Sequence, residues 1–307
     1  MTLTELRYIV AVARERHFGR AAEACFVSQP TLSVSIKKLE EELDLRIFER
    51  GSTEVSVTPL GQEIVRQAQA VIEQASQIKE IAKRGKDPVT GPLRLGVIYT
   101  IGPYLLPDLV RQVIERVPQM PLVLQENLTA KLLDMLRTGE LDCAIMAEPF
   151  PDAGLAIAAL YDEPFVVALP NRHPLAKRES ISAEELKRET MLLLGTGHCF
   201  RDHVLEVCPE YARFSSNAEG IRKSFEGSSL ETIKYMVASG MGITVVPQLS
   251  VPKDQSSHVT YVRFTAPAPT RRVVLAWRRT FTRYEAIAAL RNAIYACPLE
   301  GVARLTA

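Results

Sequence analysis

Apolar residues along the first 58 positions recur every three or four residues, and nothing alternates like a strand until the short Glu54-Val55-Ser56-Val57 run. A small helical domain over residues 1–58 is expected. Thr58 then caps, and Pro59 opens, a long helix to about Arg84, since proline is tolerated in a first turn where its missing donor is unused. Gly85-Lys86-Asp87-Pro88 ends it. Inside that helix Ile64, Ala68, Val71, Ala75, Ile78 and Ala82 recur at spacings of four and three, the seam of a coiled coil. Residues 59–87 are therefore read as a linker and dimerisation helix. A helix packed on its own globular domain is the plainer alternative.

After Gly91-Pro92 short apolar runs alternate with helical stretches, starting with Leu93 to Ile98 and a helical Leu105 to Val117. Further strand candidates are Leu122 to Gln125, Cys143 to Met146, Phe165 to Leu169, Met191 to Leu194, Ile243 to Val246 and Val273 to Trp277. This spacing predicts α/β architecture with parallel sheets and crossover helices, in two lobes: residues 88–162 with 268–307, and residues 163–267. The chain has 307 residues, enough for two or three cores, and its 47% hydrophobic content, 24% charged content and net charge of +1 describe an ordinary globular protein. Composition alone points to no nucleic acid. No apolar stretch reaches the roughly 18 residues of a membrane span, and no basic leader precedes an apolar run, so the chain is expected in the cytoplasm, away from membranes. Five cysteines in a reducing compartment disfavour a permanent disulfide and leave room for a conditional one.

Two stretches carry candidate chemistry. Gly19 to Cys25, then Phe26-Val27, then Ser28 as the cap of a helix from Gln29, have helix-turn-helix spacing. On the second helix Leu32, Ile36, Leu39 and Leu43 share one face, which turns Pro30, Ser33, Val34 and Lys37 outward with Gln29, Thr31 and Lys38 beside them. Small and polar side chains let a helix approach a major groove closely, where Gln and Ser bond base edges, Val meets thymine methyls and Lys meets phosphate. Arg20 and Arg50 supply placed positive charge, because Glu40, Glu41, Glu42 and Asp44 offset the local lysines. A surface-packed helical pair would share this spacing. The runs Leu6-Arg7-Tyr8-Ile9-Val10-Ala11-Val12-Ala13, Phe18-Gly19-Arg20-Ala21-Ala22, Val27-Ser28-Gln29-Pro30-Thr31-Leu32-Ser33, Phe48-Glu49-Arg50 and Thr58-Pro59-Leu60-Gly61 decide between them, for together they resemble the winged N-terminal signature of LysR-type regulators. The resemblance implies a winged helix-turn-helix on double-stranded DNA, a linker helix, a two-lobed effector domain like periplasmic binding proteins, assembly into dimers or tetramers, and activation through RNA polymerase.

The second stretch runs from Gly195 to Pro209 and holds Cys199 and Cys208. His198, Arg201, His203 and the glycine-rich entry offer positive charge and free backbone donors to Cys199, conditions that favour the reactive thiolate. A thiolate reduces peroxide and becomes a sulfenic acid, which condenses with a second thiol. Phe200, Val204 and Val207 are spaced for one helical face. Nine residues of helix hold the two cysteines roughly 13 Å apart, beyond the ~4.4–6.8 Å separation of a disulfide. Bond formation then requires refolding. A zinc site from His198, Cys199, His203 and Cys208 is a weaker rival, lacking the paired short spacings of zinc motifs, and no metal or cofactor is expected. Cys25, Cys143 and Cys297 read as inert thiols.

Gly197-His198-Cys199-Phe200-Arg201-Asp202 followed by Cys208 is similar to the redox loop of the OxyR subfamily, whose first cysteine senses hydrogen peroxide and whose second resolves it. That resemblance further implies that Thr100, Thr129, His198 and Arg271 hold the peroxide. Threonines at strand ends often cap helices, and for Thr129, before Ala130-Lys131-Leu132-Leu133, capping competes with that role. A regulator sensing a metabolite between its lobes is the main alternative function; a thiol enzyme leaves the helix-turn-helix without purpose.

Overall fold

The computed structural model describes residues 1–50, 55–83, 89–211, 226–227, 229–252 and 258–305. The chain divides into a unit of residues 1–87 and one of residues 88–307.

In the first unit Thr2 caps helix α1 (Leu3–Glu15), its side chain accepting from Glu5 while Glu5 reaches back. Helices α2 (Phe18–Ala24) and α3 (Gln29–Leu43) follow, then the antiparallel wing strands β1 (Phe48–Arg50) and β2 (Val55–Val57) and the long helix α4 (Pro59–Lys83). Strand β1 escapes sequence reading, since three residues show no alternation. Leu32, Ile36 and Leu39 bury the expected face of α3 beside Ile9, Val12 and Ala21. Thr58 accepts from the Gly61 N–H at 2.9 Å. Only glycine fits at 61, because a Cβ there would stand 2.3 Å from the Ile47 carbonyl oxygen.

The expected α4 seam is divided. Ile64 and Ala68, with Val65 and Ile72, pack on the unit's own core, whereas Val71 and Ile78 face solvent. The plainer reading therefore holds for the first half of the helix. Gly85 to Pro88 and the side chain of Ala82 lie outside the described residues.

In the second unit strands β3 (Leu93–Ile98), β4 (Leu122–Asn127) and β5 (Cys143–Ala147) are parallel, with helices α5 (Gly102–Arg116) and α6 (Thr129–Arg137) as crossovers. The expected parallel order stops there. Strand β6 (Leu155–Pro170) is 16 residues long and serves both halves of the unit. Beyond it come β7 (Ser180–Ile181), α7 (Ala183–Leu186), β8 (Leu193–Leu194), α8 (Cys199–Val207), β9 (Glu226–Gly227), α9 (Leu230–Ala238), β10 (Thr244–Pro247), β11 (Val259–Phe264), β12 (Thr270–Arg278), α10 (Tyr284–Ala296) and β13 (Ala303–Arg304). The first part of β6 pairs antiparallel with β12, and its last six residues pair antiparallel with β10 and β11. The sheet is therefore mixed. One core gathers β3, β5, β12, α5, α6 and α10, and a second gathers the end of β6 with α8, α9, β10 and β11.

Candidate functional site

Helix α8 is seated in the second core by Phe200, 1% exposed, and by Val204. The Phe200 ring meets Phe165 edge-on, centroids 5.1 Å apart at 78°. Cys199, the first residue of the same helix, packs instead against the first core. The sulfur thus stands where the two lobes meet, on a helix that one lobe holds. Cys208 caps the opposite end of α8 and is fully buried, and both thiols are free. Burial, with Glu210 adding to it, pushes the Cys208 thiol up to about 11. At neutral pH it is protonated and shielded. The nine-residue helix keeps the cysteines roughly 13 Å apart.

Three contacts join the segment around Cys199 to the remaining expected residues or to their chain neighbours. Tyr99, beside Thr100, meets the His198 ring with centroids 5.8 Å apart. Leu128, beside Thr129, packs so closely on Gly197 that a Cβ there would stand 3.1 Å from its Cδ1; Gly197 also has a φ of +98°, which favours glycine. Arg271 lies over the Phe200 ring, 5.1 Å from its centroid.

Arg271 is itself buried and fixed on both sides. Its Nε donates to Glu163 Oε2 at 2.9 Å, Nη1 to Thr100 Oγ1 at 2.7 Å and Nη2 to the Thr100 carbonyl at 3.0 Å. Glu163 Oε1 in turn accepts from the Leu249 N–H at 2.8 Å. A guanidinium has no acceptor, so Thr100 Oγ1 must accept from it, and the hydroxyl proton of Thr100 is left to give elsewhere. Thr129 Oγ1 is buried without a hydrogen-bond partner among the described residues, and the cap of α6 is Leu128, whose side chain makes no capping bond. Capping is therefore not the role of Thr129, and a buried polar atom with no partner marks a place for one.

The two imidazoles expected to bring positive charge to Cys199 do not supply it. Burial lowers the pKa of His198 and of His203, and for His203 the Arg271 charge adds to that, so both imidazoles are neutral at pH 7. His203 Nε2 lies 2.7 Å from the Glu148 carbonyl oxygen, while its buried Nδ1 has no partner among the described residues. Arg201 turns inward and gives Nη1 to the Leu194 carbonyl at 2.7 Å. Among the described residues the four zinc candidates form no group that could hold a metal ion. Cys143, fully buried, and Cys297 have thiols raised by burial, Cys297 to about 11; Cys25 is raised in the same direction by the same cause.

Sequence reading missed Glu163, although the acidic pair Asp162-Glu163 inside a mostly apolar strand was a usable signal. It also missed Tyr104 on α5, whose hydroxyl donates to Glu231 Oε1 on α9 at 2.7 Å, with Lys234 over its ring at 5.2 Å. That cluster ties one lobe to the other.

On α3, Ser28 accepts from the Thr31 N–H at 3.3 Å, and the Ser28 and Thr31 hydroxyls lie 2.8 Å apart. Gln29, Pro30, Thr31, Val34 and Lys37 are exposed, Ser33 is half-buried, and Lys37 pairs loosely with Glu41 at 3.5 Å. Arg20 is exposed and donates to the Glu15 carbonyl at 2.7 Å. Arg50 ends β1, and its side chain lies outside the described residues. The outward face of α3 is thus small, polar and open. Among the described residues no helix is long and apolar enough to cross a membrane.

A winged helix-turn-helix joined to a two-lobed α/β effector domain defines a class of bacterial regulator. Residues 3–62 match the bacterial regulatory helix-turn-helix protein, lysR family, and residues 86–296 match the LysR substrate binding domain. The chain belongs to the LysR family, in its OxyR branch. It is 40% identical over 279 residues to the hydrogen peroxide-inducible genes activator of Pectobacterium carotovorum, covering 91% of this chain and 90% of that one. A cysteine-to-aspartate variant of full-length OxyR from Pseudomonas aeruginosa is 50% identical, with a TM-score of 0.76, covering 97% of this chain and 98% of that one. A cysteine-to-serine variant of Corynebacterium glutamicum OxyR, with hydrogen peroxide bound, is 32% identical, with a TM-score of 0.63, covering 95% and 91%.

Proposed function

We propose that the chain is a DNA-binding transcriptional regulator that senses hydrogen peroxide through Cys199, answers with a reversible Cys199 to Cys208 disulfide, and controls genes of oxidative-stress defence. The observation that carries this reading is the position of Cys199: a free thiol between two lobes, on a helix whose far end holds a second free thiol out of reach.

The Cys199 thiolate attacks one peroxide oxygen, the O–O bond breaks, and the products are a sulfenic acid and hydroxide, which takes a proton to become water. Thr100 donates a hydrogen bond from its unused hydroxyl to the peroxide, Thr129 supplies the unpartnered hydroxyl, and His198 lines the entrance as a neutral imidazole. Arg271 acts through Thr100, and Glu163 holds Arg271. Cys208 then loses its proton and attacks the sulfenic sulfur as a thiolate; the S–S bond forms, the S–O bond breaks, and the second oxygen leaves as hydroxide, which takes up a proton to become water. This step waits until α8 unwinds and uncovers Cys208, so refolding and chemistry are one event.

Thr129→Val tests the peroxide site without disturbing the fold, because the hydroxyl has no partner to lose. The expected result is unchanged thermal stability and Cys199 oxidation slower by about tenfold or more, since a donor aimed at developing charge contributes on that order. An unchanged rate removes Thr129 from the site.

For DNA, Gln29, Pro30, Ser33 and Val34 read the major groove of double-stranded promoter operators, while Arg20, Thr31, Lys37 and Arg50 meet the backbone. Two exposed apolar surfaces support an oligomer. One is Val71 and Ile78 on α4; the other is edge strand β4, where Val123 and Leu124 are exposed, with Ile114 exposed on α5. The first pairs linker helices into a dimer and the second pairs effector domains, which together make a tetramer with residues 1–58, 59–87 and 88–307 as its working parts. RNA polymerase is the further partner of the activating state.

Footprinting on a promoter duplex before and after one equivalent of hydrogen peroxide tests the function. A changed footprint, restored by a thiol reductant, is expected. A footprint that ignores peroxide and responds to a small metabolite moves the protein to the alternative reading, with the ligand between its lobes.

A further inference from the structure

Phe26 stands in the turn between α2 and α3, 96% exposed and with a φ of 58°. The exposure gives folding no return, and the φ costs it. The ring gains nothing from burial in its own unit, and a left-handed φ crowds its Cβ against the next carbonyl, which is why glycine and asparagine usually hold such positions. Its backbone N–H donates to the Glu23 carbonyl at 3.0 Å, a bond that any residue but proline makes. A bulky apolar residue that is both strained and uncovered marks a contact supplied by a partner.

Its place selects the partner. Phe26 precedes by two residues the Ser28 cap of α3, and the next exposed side chains, Gln29 and Pro30, begin the outward face of that helix. In a helix-turn-helix the N-terminal end of this helix enters the major groove. The apolar group that the groove offers there is the C5 methyl of thymine. Val34, a large apolar side chain exposed on α3 itself, lies on the outward face of that helix. We infer that Phe26 is a further DNA contact, packing its ring on a thymine methyl at the edge of the half-site and adding a preference for thymine there. The inference rests on the DNA-binding reading above and adds one base position to it.

The test uses the full-length protein and a duplex that the wild type recovers from a pool of random sequences. Affinities of wild type and Phe26→Asn are compared on that duplex and on versions with single thymines replaced by uracil, which lacks the methyl group. Asparagine suits the left-handed turn, so Phe26→Asn folds at least as stably as wild type. Expected are about tenfold weaker binding by Phe26→Asn and one thymine at the half-site edge whose replacement weakens wild type but not the variant. Equal affinity of the two proteins on every duplex overturns the inference, including the case in which the variant binds DNA normally yet fails to activate, which puts the ring against RNA polymerase. Recovery of no preferred duplex by wild type is a separate failure that removes the DNA-binding reading and this inference with it.

Discussion

Phe200→Ala is expected to lower the reduction potential of the Cys199–Cys208 pair by about 65 mV, making the disulfide harder to reduce. The reason is an asymmetry between the two states. In the dithiol form Phe200 is 1% exposed, edge-on to Phe165 and beneath the Arg271 guanidinium. Truncating such a ring costs about 3 kcal/mol or more. If oxidation unwinds α8 the ring leaves this seat, so the loss falls on the reduced state alone. About 1.4 kcal/mol corresponds to about 30 mV for a two-electron couple, which converts the lower figure to about 65 mV. The loss also lowers the thermal stability of the reduced protein while sparing the oxidised one. Equilibration against glutathione at a series of ratios measures it. An unchanged potential with a destabilised reduced state means that Phe200 keeps its seat after oxidation, and that α8 does not unwind.

Cys199→Ser is expected to abolish the response to peroxide completely, whereas Cys208→Ser should still react and stop at the sulfenic acid. The two thiols occupy different settings, as their roles require. Cys199 lies between lobes at the open end of α8, and Cys208 is buried and held protonated, with its thiol pushed up to about 11. A sulfenate-specific label on Cys208→Ser, followed with time after peroxide addition, reads the first step alone. Labelling of Cys199→Ser at Cys208 would reverse the assignment of attacking and resolving sulfur.

Local patterns with strong period were legible in the sequence. The apolar face of α3, its Ser28 cap, and the Phe200 and Val204 seam of α8 appear in the structure as their spacing implies. What stayed hidden depends on distant partners. Strand β6 passes through both lobes, and its first half, beginning Leu155-Ala156-Ile157-Ala158-Ala159, gives few bulky β-branched residues to signal a strand. Pairing direction is set by β12 and β10 returning from far along the chain, so a mixed sheet reads locally like a parallel one. The site shows the same limit. His198 and His203 look like positive charge in sequence, but burial keeps them neutral. Thr129 looks like a cap, yet its hydroxyl is enclosed without a partner. The Arg271–Glu163 pair joins residues 108 positions apart, and only the register of β12 on β6 brings them face to face.

The central claim is that joining Cys199 to Cys208 unwinds α8. Amide hydrogen exchange over residues 199–208 tests it most directly, on protein kept reduced and on protein given one equivalent of hydrogen peroxide, with the peptide disulfide mapped by mass spectrometry. The account predicts slow exchange in the reduced helix, a reducible Cys199–Cys208 link after peroxide, and loss of protection across the segment in step with that link. Peroxide-treated protein that carries the Cys199–Cys208 link yet retains protection from Phe200 to Val207 would contradict it.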